Sequence, residues 1–197
     1  MSTTITEAAL AIRDGDAVVY PTETVYGLGA DALDPAAIDR VYGLKGRSRD
    51  NPLSFAVPDI STALEYVAAT ELDHAFMQAF LPGPVTVICA ATPAIPRELT
   101  AGRDRVGVRI PDNDLALELL AEVAPITATS ANKSGSGSVT HPSGLDPELR
   151  EAVGAVIDGG ETPGTESTVV DPSRNEIHRR GAMAGAVEAW LQDQHGD

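Results

Sequence analysis

The feature that most constrains the fold is the alternation of strand-like and helix-like segments along the chain. Apolar residues at helical spacing mark residues 6–13, Gly15 breaks that helix, and a short strand-like segment follows. Interleaving of this kind predicts a mixed α/β layer structure, in which the order of the strands stays open. We predict strands at 17–20, 53–57, 85–90, 106–110, 126–129, 155–158, 168–171 and 176–179, and helices at 6–13, 35–44, 60–69, 71–80, 114–123 and 184–191.

Local signals indicate several boundaries. Asp34 and Pro35 are typical of an N-cap and a first-turn proline, so a helix begins there. Pro21 ends the first strand, and residues 21–29 are neither clearly periodic nor simply polar, which predicts a loop whose glycines allow a tight backbone path. The Ser-Gly segment 134–138 has the composition of a flexible surface loop, but its position directly after residues 129–133 favours a loop that a ligand orders.

Length and composition indicate one domain. The chain has 197 residues, 43% of them hydrophobic, and can bury one substantial core, so we assign residues 1–197 to a single domain. Residues 1–16 lack the pattern of a signal peptide, and no segment approaches the roughly 20 apolar residues of a membrane span. We expect a cytoplasmic protein without membrane contact, in which Cys89, the single cysteine, is a buried thiol in a reducing compartment.

The charge balance is strongly acidic. Twenty-nine acidic residues against 14 basic ones give a net charge of -15 and a pI near 4.5. Such a surface repels nucleic acid over most of its area, and we interpret it as a general surface adaptation, for example to a high-salt cytoplasm. The places where this chain keeps its positive charge are therefore more informative than the total.

Three cations fall within five positions at Lys45, Arg47 and Arg49. Arginine binds phosphate or carboxylate through two parallel hydrogen bonds and lysine adds a compact charge, so this loop is a candidate anion site. An equally open alternative is that Lys45 only complements the C-terminal end of the preceding helix.

Two polar loops are further candidates. Ser130 and Asn132 follow a predicted strand, where α/β proteins often bind ligands, although turn-forming residues would look the same. Residues 159–168 expose amides and hydroxyls beside another strand, as either an anion-binding nest or an ordinary connection.

Standard catalytic and metal motifs are absent from the sequence. It has no phosphate-binding P-loop, no dinucleotide fingerprint, no His-Glu-x-x-His motif and no cysteine pair. We predict no protein metal site, because the four histidines are far apart in sequence and each is better explained as structural or exposed. Trp190 is interpreted as part of a packing face. The histidines are His74, His141, His178 and His195.

Taken in order, the segments resemble the YrdC-like family of threonylcarbamoyl-adenylate synthases. Six motifs carry this resemblance and extend from about residue 20 to residue 181, with Lys-x-Arg and Ser-x-Asn both intact. The motifs are YPTETVYGLG at 20–29, LKGRSRDNPL at 44–53, LPGP at 81–84, VGVRIP at 106–111, TSAN at 129–132 and STVVD at 167–171.

The resemblance implies a twisted mixed sheet with surrounding helices and a large concave active site. It also implies the formation of threonylcarbamoyl-AMP and pyrophosphate from L-threonine, bicarbonate or carbon dioxide, and ATP, for threonylcarbamoyladenosine modification of tRNA. By match to the family motifs, L-threonine contacts Thr24, Arg109 and Ser167. ATP is expected at Lys45, Arg47, Asn51, Ser130, Asn132, Ser138 and Arg179, with Lys45 and Arg47 the principal catalytic groups.

The implied chemistry needs no covalent protein nucleophile. A carbamate oxygen attacks the α-phosphorus of ATP, so catalysis depends on positioning and charge neutralisation. Mg²⁺ is expected to bridge phosphates rather than occupy a protein cage. Residues 134–139 are the candidate lid that excludes water. A downstream threonylcarbamoyl transferase is the expected recipient of the product, and a weak contact with tRNA stays open.

The sequence departs from the family pattern at two positions. Ala56 stands where members often carry histidine, so one threonine contact is missing or supplied otherwise, and Val139 replaces a common proline, which predicts a more mobile loop. We expect the additional C-terminal domain of longer relatives to be absent. The alternative functions are a double-stranded RNA-binding protein and a carbamoyl-adenylate-forming module of the hydrogenase-maturation type, although this chain lacks the zinc-binding cysteines of the latter.

Overall fold

Ten strands and seven α-helices alternate along residues 3–195, the part of the chain that the computed structural model describes. The helices are α1 Ile5–Arg13, α2 Pro35–Lys45, α3 Ile60–Ala63, α4 Glu71–Phe80, α5 Asp114–Val123, α6 Pro147–Ala152 and α7 Ala184–His195. The strands are β1 Val18–Tyr20, β2 Gly27–Gly29, β3 Ser54–Ala56, β4 Val67–Ala68, β5 Val85–Ala91, β6 Arg105–Arg109, β7 Ile126–Ser130, β8 Ala155–Val156, β9 Thr168–Asp171 and β10 Glu176–Arg179.

The strands form one mixed sheet. Their order is β10-β9-β5-β6-β3-β7-β2-β1-β8, and β4 pairs with β5 outside this path. The pairs β1/β8, β3/β6 and β5/β9 run parallel, whereas the other neighbouring pairs run antiparallel. The predicted α/β class with a mixed sheet and surrounding helices is confirmed. No helix in residues 3–195 has both the length and the apolar character that crossing a bilayer requires.

Helices cover the two sheet faces unequally. Alternate strand residues such as Val19, Val87 and Val108 belong to the larger core cluster, which also contains buried residues of α2, α4, α6 and α7. The opposite face, represented by Val18 and Ile126, packs against α1 and α5 in a second cluster. Helices α1 and α5 cover only one end of that face. The part of the face formed by β5, β6 and β9 therefore remains accessible.

Helix α2 begins and ends at the residues that local chemistry favours. The Asp34 carboxylate accepts a hydrogen bond from the Ala36 amide at 2.9 Å, with Pro35 in the first turn, as predicted. Gly46 ends the helix in the left-handed region, at a φ of 57°. The amide of Arg47 then donates to the Tyr42 carbonyl at 3.0 Å.

Two predictions of secondary structure were wrong. Residues 21–29 are not entirely a loop, because Gly27–Gly29 forms β2 between β1 and β7, where a Cβ on Gly27 would lie 2.7 Å from the Tyr20 ring. The predicted helix at 60–69 stops at Ala63, because Val67–Ala68 pairs with β5 as β4. In both places tertiary pairing overrides local propensity.

The predicted burial of Cys89 and the predicted packing role of Trp190 are confirmed. Cys89 is fully buried, and burial raises the pKa of its thiol. The Trp190 ring packs edge-on against Phe76, with ring centroids 5.0 Å apart, so this indole belongs to a packing face.

Candidate active site

A cavity of about 460 Å³ lies on the sheet face that α1 and α5 leave uncovered. This volume suits a small-molecule site. The floor requires a glycine at position 107, because a Cβ there would lie 2.3 Å from the Ser54 hydroxyl oxygen. The floor is formed by Ser167, directly before β9, and by alternate residues of β5, β6 and β9: Thr86, Ile88, Arg105, Gly107, Arg109, Val169 and Asp171.

Positive charge is concentrated at this cavity. Six of the 14 lysines and arginines line it, although the whole chain carries a net charge of -15. A cavity of this kind attracts anions even in an acidic protein, because the local charges dominate at short range. The six residues are Arg47, Arg103, Arg105, Arg109, Arg174 and Arg179.

Arg109 forms one end of the cavity together with the loop that follows β1. Arg109 is 6% exposed, and its guanidinium donates through Nη1 to the carbonyls of Gly83 and Val85. Through Nη2 it contacts the Glu23 carboxylate at 2.8 Å and the Thr24 hydroxyl at 3.4 Å. The structure thus brings the predicted residues Thr24 and Arg109 together and adds Glu23, which the sequence reasoning missed.

A row of hydroxyl groups crosses the floor beside Arg109. The hydroxyls of Thr86 and Ser167 lie 3.0 Å apart, and Arg179 Nη2 donates to Ser167 Oγ at 2.9 Å. Arg179 Nε also donates to the Ser167 carbonyl at 3.0 Å. Ser167 and Arg179, predicted for different ligands, are therefore direct neighbours, and Thr86 is a second residue that the sequence reasoning missed.

Lys45 lies inside the wall of the site. Lys45 is only 2% exposed. Its ammonium donates to the carbonyl of Ser130 and, at 2.7 Å, to the carbonyl of Asn132. Burial, followed by the neighbouring charge of Arg47, lowers the pKa of Lys45 to about 8. The alternative that Lys45 only complements the end of α2 does not describe these contacts, since the ammonium reaches β7 and the loop after it.

The other two cations of the same loop, Arg47 and Arg49, point in different directions. Arg47 lines the cavity and donates to the carbonyls of Asn51 and Pro52, each at 3.0 Å, and burial lowers its pKa. Arg49 instead pairs with Asp39 on the exterior, with 62% of its side chain exposed. Asn51 is exposed and contributes its carbonyl to this arrangement, but it is not among the residues that line the cavity.

Asn132 shapes the loop after β7. Its amide nitrogen donates to the carbonyls of Lys133 at 2.9 Å and Ser136 at 2.6 Å. Within the described residues its amide oxygen is buried and has no hydrogen-bond partner, and Asn132 is not among the residues that line the cavity. Ser130, two residues earlier, lines the cavity directly.

The Ser-Gly loop is joined to the opposite wall by Glu166. Ser138 donates to Glu166 Oε1 at 2.5 Å, and Arg179 Nη1 lies 2.8 Å from Glu166 Oε2. At the loop's C-terminal end, Val139 is buried and its carbonyl accepts a bond from the Tyr26 amide at 2.9 Å. Glu166 is a third residue that the sequence reasoning missed. It contacts Ser138 and Arg179, both of which were predicted to bind ATP.

Ala56 is buried in the smaller core cluster and pairs with Arg109 across β3 and β6. Tyr20 belongs to the same cluster and also lines the cavity, and burial raises the pKa of its phenol. A polar group close to Arg109 is thus present although the family histidine is not.

Histidine does not form a metal site in the described residues. Within residues 3–195, no group of three or more His, Cys, Asp or Glu side chains is placed to hold a metal ion. His178 lines the outer part of the cavity and is exposed, as is His141, whereas His74 is partly buried. The side chain of His195 lies outside the described part.

Fold and cavity together define a mixed-sheet α/β protein with an arginine-lined small-molecule site on one sheet face. The family model for Sua5, YciO and YrdC, described as "Telomere recombination", matches residues 10–181. The chain therefore belongs to this family.

Named relatives and a solved structure agree with this assignment. A Pyrococcus abyssi protein named threonylcarbamoyl-AMP synthase is 44% identical over 168 residues, which cover 83% of this chain and 49% of that protein. A Bacillus subtilis protein of the same name is 41% identical over 170 residues and covers 84% and 49%. The crystal structure of P. abyssi Sua5 complexed with L-threonine matches with a TM-score of 0.80 at 40% identity, covering 90% of this chain and 54% of that one. The chain spans about half the length of these curated relatives.

Proposed function

We propose that this protein forms threonylcarbamoyl-AMP and pyrophosphate from L-threonine, bicarbonate and ATP. The observation that supports this most strongly is one cavity with two cationic ends, Arg109 at one and Arg47 with Arg179 at the other, joined by hydroxyl groups. The names of the P. abyssi and B. subtilis relatives and the threonine complex of P. abyssi Sua5 point to the same reaction.

The Arg109 end suits a zwitterionic amino acid. Arg109 carries a positive charge for the threonine carboxylate, while Glu23 offsets that charge and holds the guanidinium in place. Thr24, whose hydroxyl is 2.8 Å from that of Thr22, offers a polar contact, as does Ser167 on the floor. A net-neutral substrate therefore meets a nearly neutral pair of protein charges.

The opposite end suits the phosphates of ATP. Arg47 and Arg179 present guanidinium groups, and Ser130 and Ser138 add hydroxyls. The ammonium of Lys45 lies directly behind Ser130, and phosphate binding raises its pKa again because a polyanion favours the charged form. Asn132 holds the Lys45 ammonium through its backbone carbonyl, and Asn51 carries the carbonyl that positions Arg47.

The chemistry at this site is positioning and charge stabilisation. The threonine nitrogen first forms a carbamate, one oxygen of which then bonds to the α-phosphorus as the bond to pyrophosphate breaks. The arginines at the phosphate end stabilise the negative charge that develops on the leaving group. No side chain has to form a covalent bond with the substrate.

We further propose that Mg²⁺ accompanies ATP. The Glu166 carboxylate, which pairs with Arg179 at the phosphate end, is an oxygen donor that fits an ion held chiefly by phosphate oxygens. When bound, the ion would neutralise charge on the phosphates. A cytoplasmic location, delivery of the adenylate to a separate transferase acting on tRNA, and a weak contact with RNA belong to the same proposal.

Pyrophosphate release tests the proposal directly. The purified protein is incubated with ATP, Mg²⁺ and each amino acid in turn, in carbon dioxide-free buffer with and without added bicarbonate. We expect release that requires both threonine and bicarbonate, with a product of the mass of threonylcarbamoyl-AMP, and we expect Arg47→Ala to lose most of it. Release that is independent of threonine or of bicarbonate would contradict the proposed function.

A further inference from the structure

The hydroxyl row of Thr86 and Ser167 lies between the two cationic ends of the cavity. In the antiparallel register of β5 and β6, Ile88 pairs with Gly107, and continuing this register places Thr86 opposite Arg109. On its other side Thr86 contacts Ser167, which accepts from Arg179. Strands β6, β5 and β10, together with Ser167 directly before β9, thus contribute one side chain each to a line that runs from Arg109 to Arg179.

One hydroxyl hydrogen of this row has no partner in the described residues. The 3.0 Å contact between Thr86 Oγ1 and Ser167 Oγ uses one of the two hydroxyl hydrogens, whichever group donates it. Arg179 Nη2 donates to Ser167 Oγ and so occupies an acceptor site, not a donor. The remaining hydrogen is a donor at the cavity floor, where Thr86 is 5% and Ser167 7% exposed.

We propose that Thr86, with Ser167 and Arg179, binds the one-carbon carboxylate of the carbamate that forms on the threonine nitrogen. This inference rests on the proposed function and assigns a site for the bicarbonate-derived group. In this proposed arrangement Ser167 donates to Thr86, so the Thr86 hydroxyl supplies the free hydrogen, and this donor together with the Arg179 guanidinium matches a small planar anion. With the threonine carboxylate at Arg109, a group on the neighbouring nitrogen falls over the adjacent strand, about 4.8 Å away, where Thr86 lies.

The position also fits the direction of the reaction. The threonine ammonium and bicarbonate give the carbamate, water and one proton, which goes to solvent; the new bond is between nitrogen and carbon, and a carbon–oxygen bond of bicarbonate breaks. The hydroxyl row holds the new carboxylate on the side of Arg179, which also borders the phosphate end. One carbamate oxygen therefore points toward the α-phosphorus.

Thr86→Val is the matched test, since it removes the hydroxyl and keeps the branched shape. We expect the KM for bicarbonate to rise about 10- to 100-fold, as for the loss of one hydrogen bond to a charged group, while the Kd of threonine measured by calorimetry without bicarbonate stays within about twofold. Thr86→Ser, which restores the hydroxyl, should recover most of the bicarbonate dependence. Thr127→Val is the control, because Thr127 is equally buried on β7 but bonds Leu28 and Ala30 away from the cavity.

The outcomes separate this proposal from the proposed function. Wild-type protein without threonine- and bicarbonate-dependent pyrophosphate release would contradict the function itself. An active wild type, with an unchanged bicarbonate KM in Thr86→Val, would overturn only the carbamate site. A weaker threonine Kd in the same variant would also overturn it, because Thr86 would then belong to the amino-acid end. If Thr86→Val fails to fold, Thr86→Ala measured against Thr86→Ser gives the same comparison.

Discussion

Replacing Lys45 by methionine tests whether the buried ammonium contributes to catalysis as well as to the stability of the fold. Methionine keeps most of the aliphatic stem but removes the donor that binds the carbonyls of Ser130 and Asn132. A buried acceptor without a partner costs about 1–3 kcal/mol. The variant also no longer buries a charge, and the lowered pKa of Lys45 shows that this burial is unfavourable. We therefore expect the free energy of unfolding to fall by only about 1–3 kcal/mol in total.

The effect on catalysis should be larger than the effect on stability. In the proposed function Lys45 contributes charge behind the phosphate end and holds Ser130 in place, and loss of one preorganised donor of this kind commonly reduces kcat about 100- to 1000-fold. Adenylate formation in Lys45→Met should fall within that range at pH 7. A purely structural lysine would reduce activity only in proportion to the unfolded fraction, which stays small at 25 °C.

Urea denaturation and pyrophosphate release measure the two effects separately. Arg49→Met is the control, because Arg49 lies in the same loop but pairs with Asp39 on the exterior. A surface ion pair contributes about 0–1 kcal/mol, so this control should retain near wild-type stability and turnover. The reasoning is refuted if Lys45→Met turns over at a rate close to that of Arg49→Met.

Three further predictions follow from the same contacts. Because the pKa of Lys45 is lowered to about 8, kcat/KM for ATP should fall as pH rises through about 8, and Lys45→Arg should move this fall to higher pH; a profile that does not move would exclude Lys45 as its origin. Glu23→Gln should raise the Kd of threonine several-fold in calorimetry by loosening Arg109, and an unchanged Kd would show that Glu23 does not position it. Serine should be used with a kcat/KM about 10- to 200-fold lower than threonine, as expected for one methyl group in a shaped pocket, and equal values would argue against such a pocket.

The sequence was sufficient for most elements because their signals are local. The N-cap at Asp34 and the proline after it, for example, mark the start of α2 independently of the rest of the fold. The two errors, at residues 27–29 and 67–68, arose where pairing with neighbouring strands decides the secondary structure. Gly27–Gly29 has poor strand propensity and becomes β2 because the strands on each side supply its hydrogen bonds, and Val67–Ala68 leaves a helical pattern to pair with β5.

The site was only partly predictable for the same reason. Motif resemblance named Thr24, Arg109 and Ser167, and the structure places all three at one cavity. In the sequence, nothing distinguishes Thr86 from other threonines in apolar strands. Only the pairing of β5 with β6 and with β9 places it between Arg109 and Ser167. Spacing in sequence was also a poor guide to the cationic loop, since Lys45 points into the wall, Arg47 into the cavity and Arg49 outward.

The distribution of carboxylates around the cavity fits the two different ligands that we propose for its two ends. Arg105, Arg109 and Arg179 pair with Asp171, Glu23 and Glu166 at 2.7, 2.8 and 2.8 Å. In the described residues Arg47 differs, since its hydrogen bonds go to carbonyls alone. The end proposed to bind a neutral zwitterion thus has a compensated arginine, whereas the end proposed to bind phosphate has an uncompensated one. A triphosphate can also displace Glu166 from Arg179 and Ser138, because its higher charge competes better for the same donors than one carboxylate does.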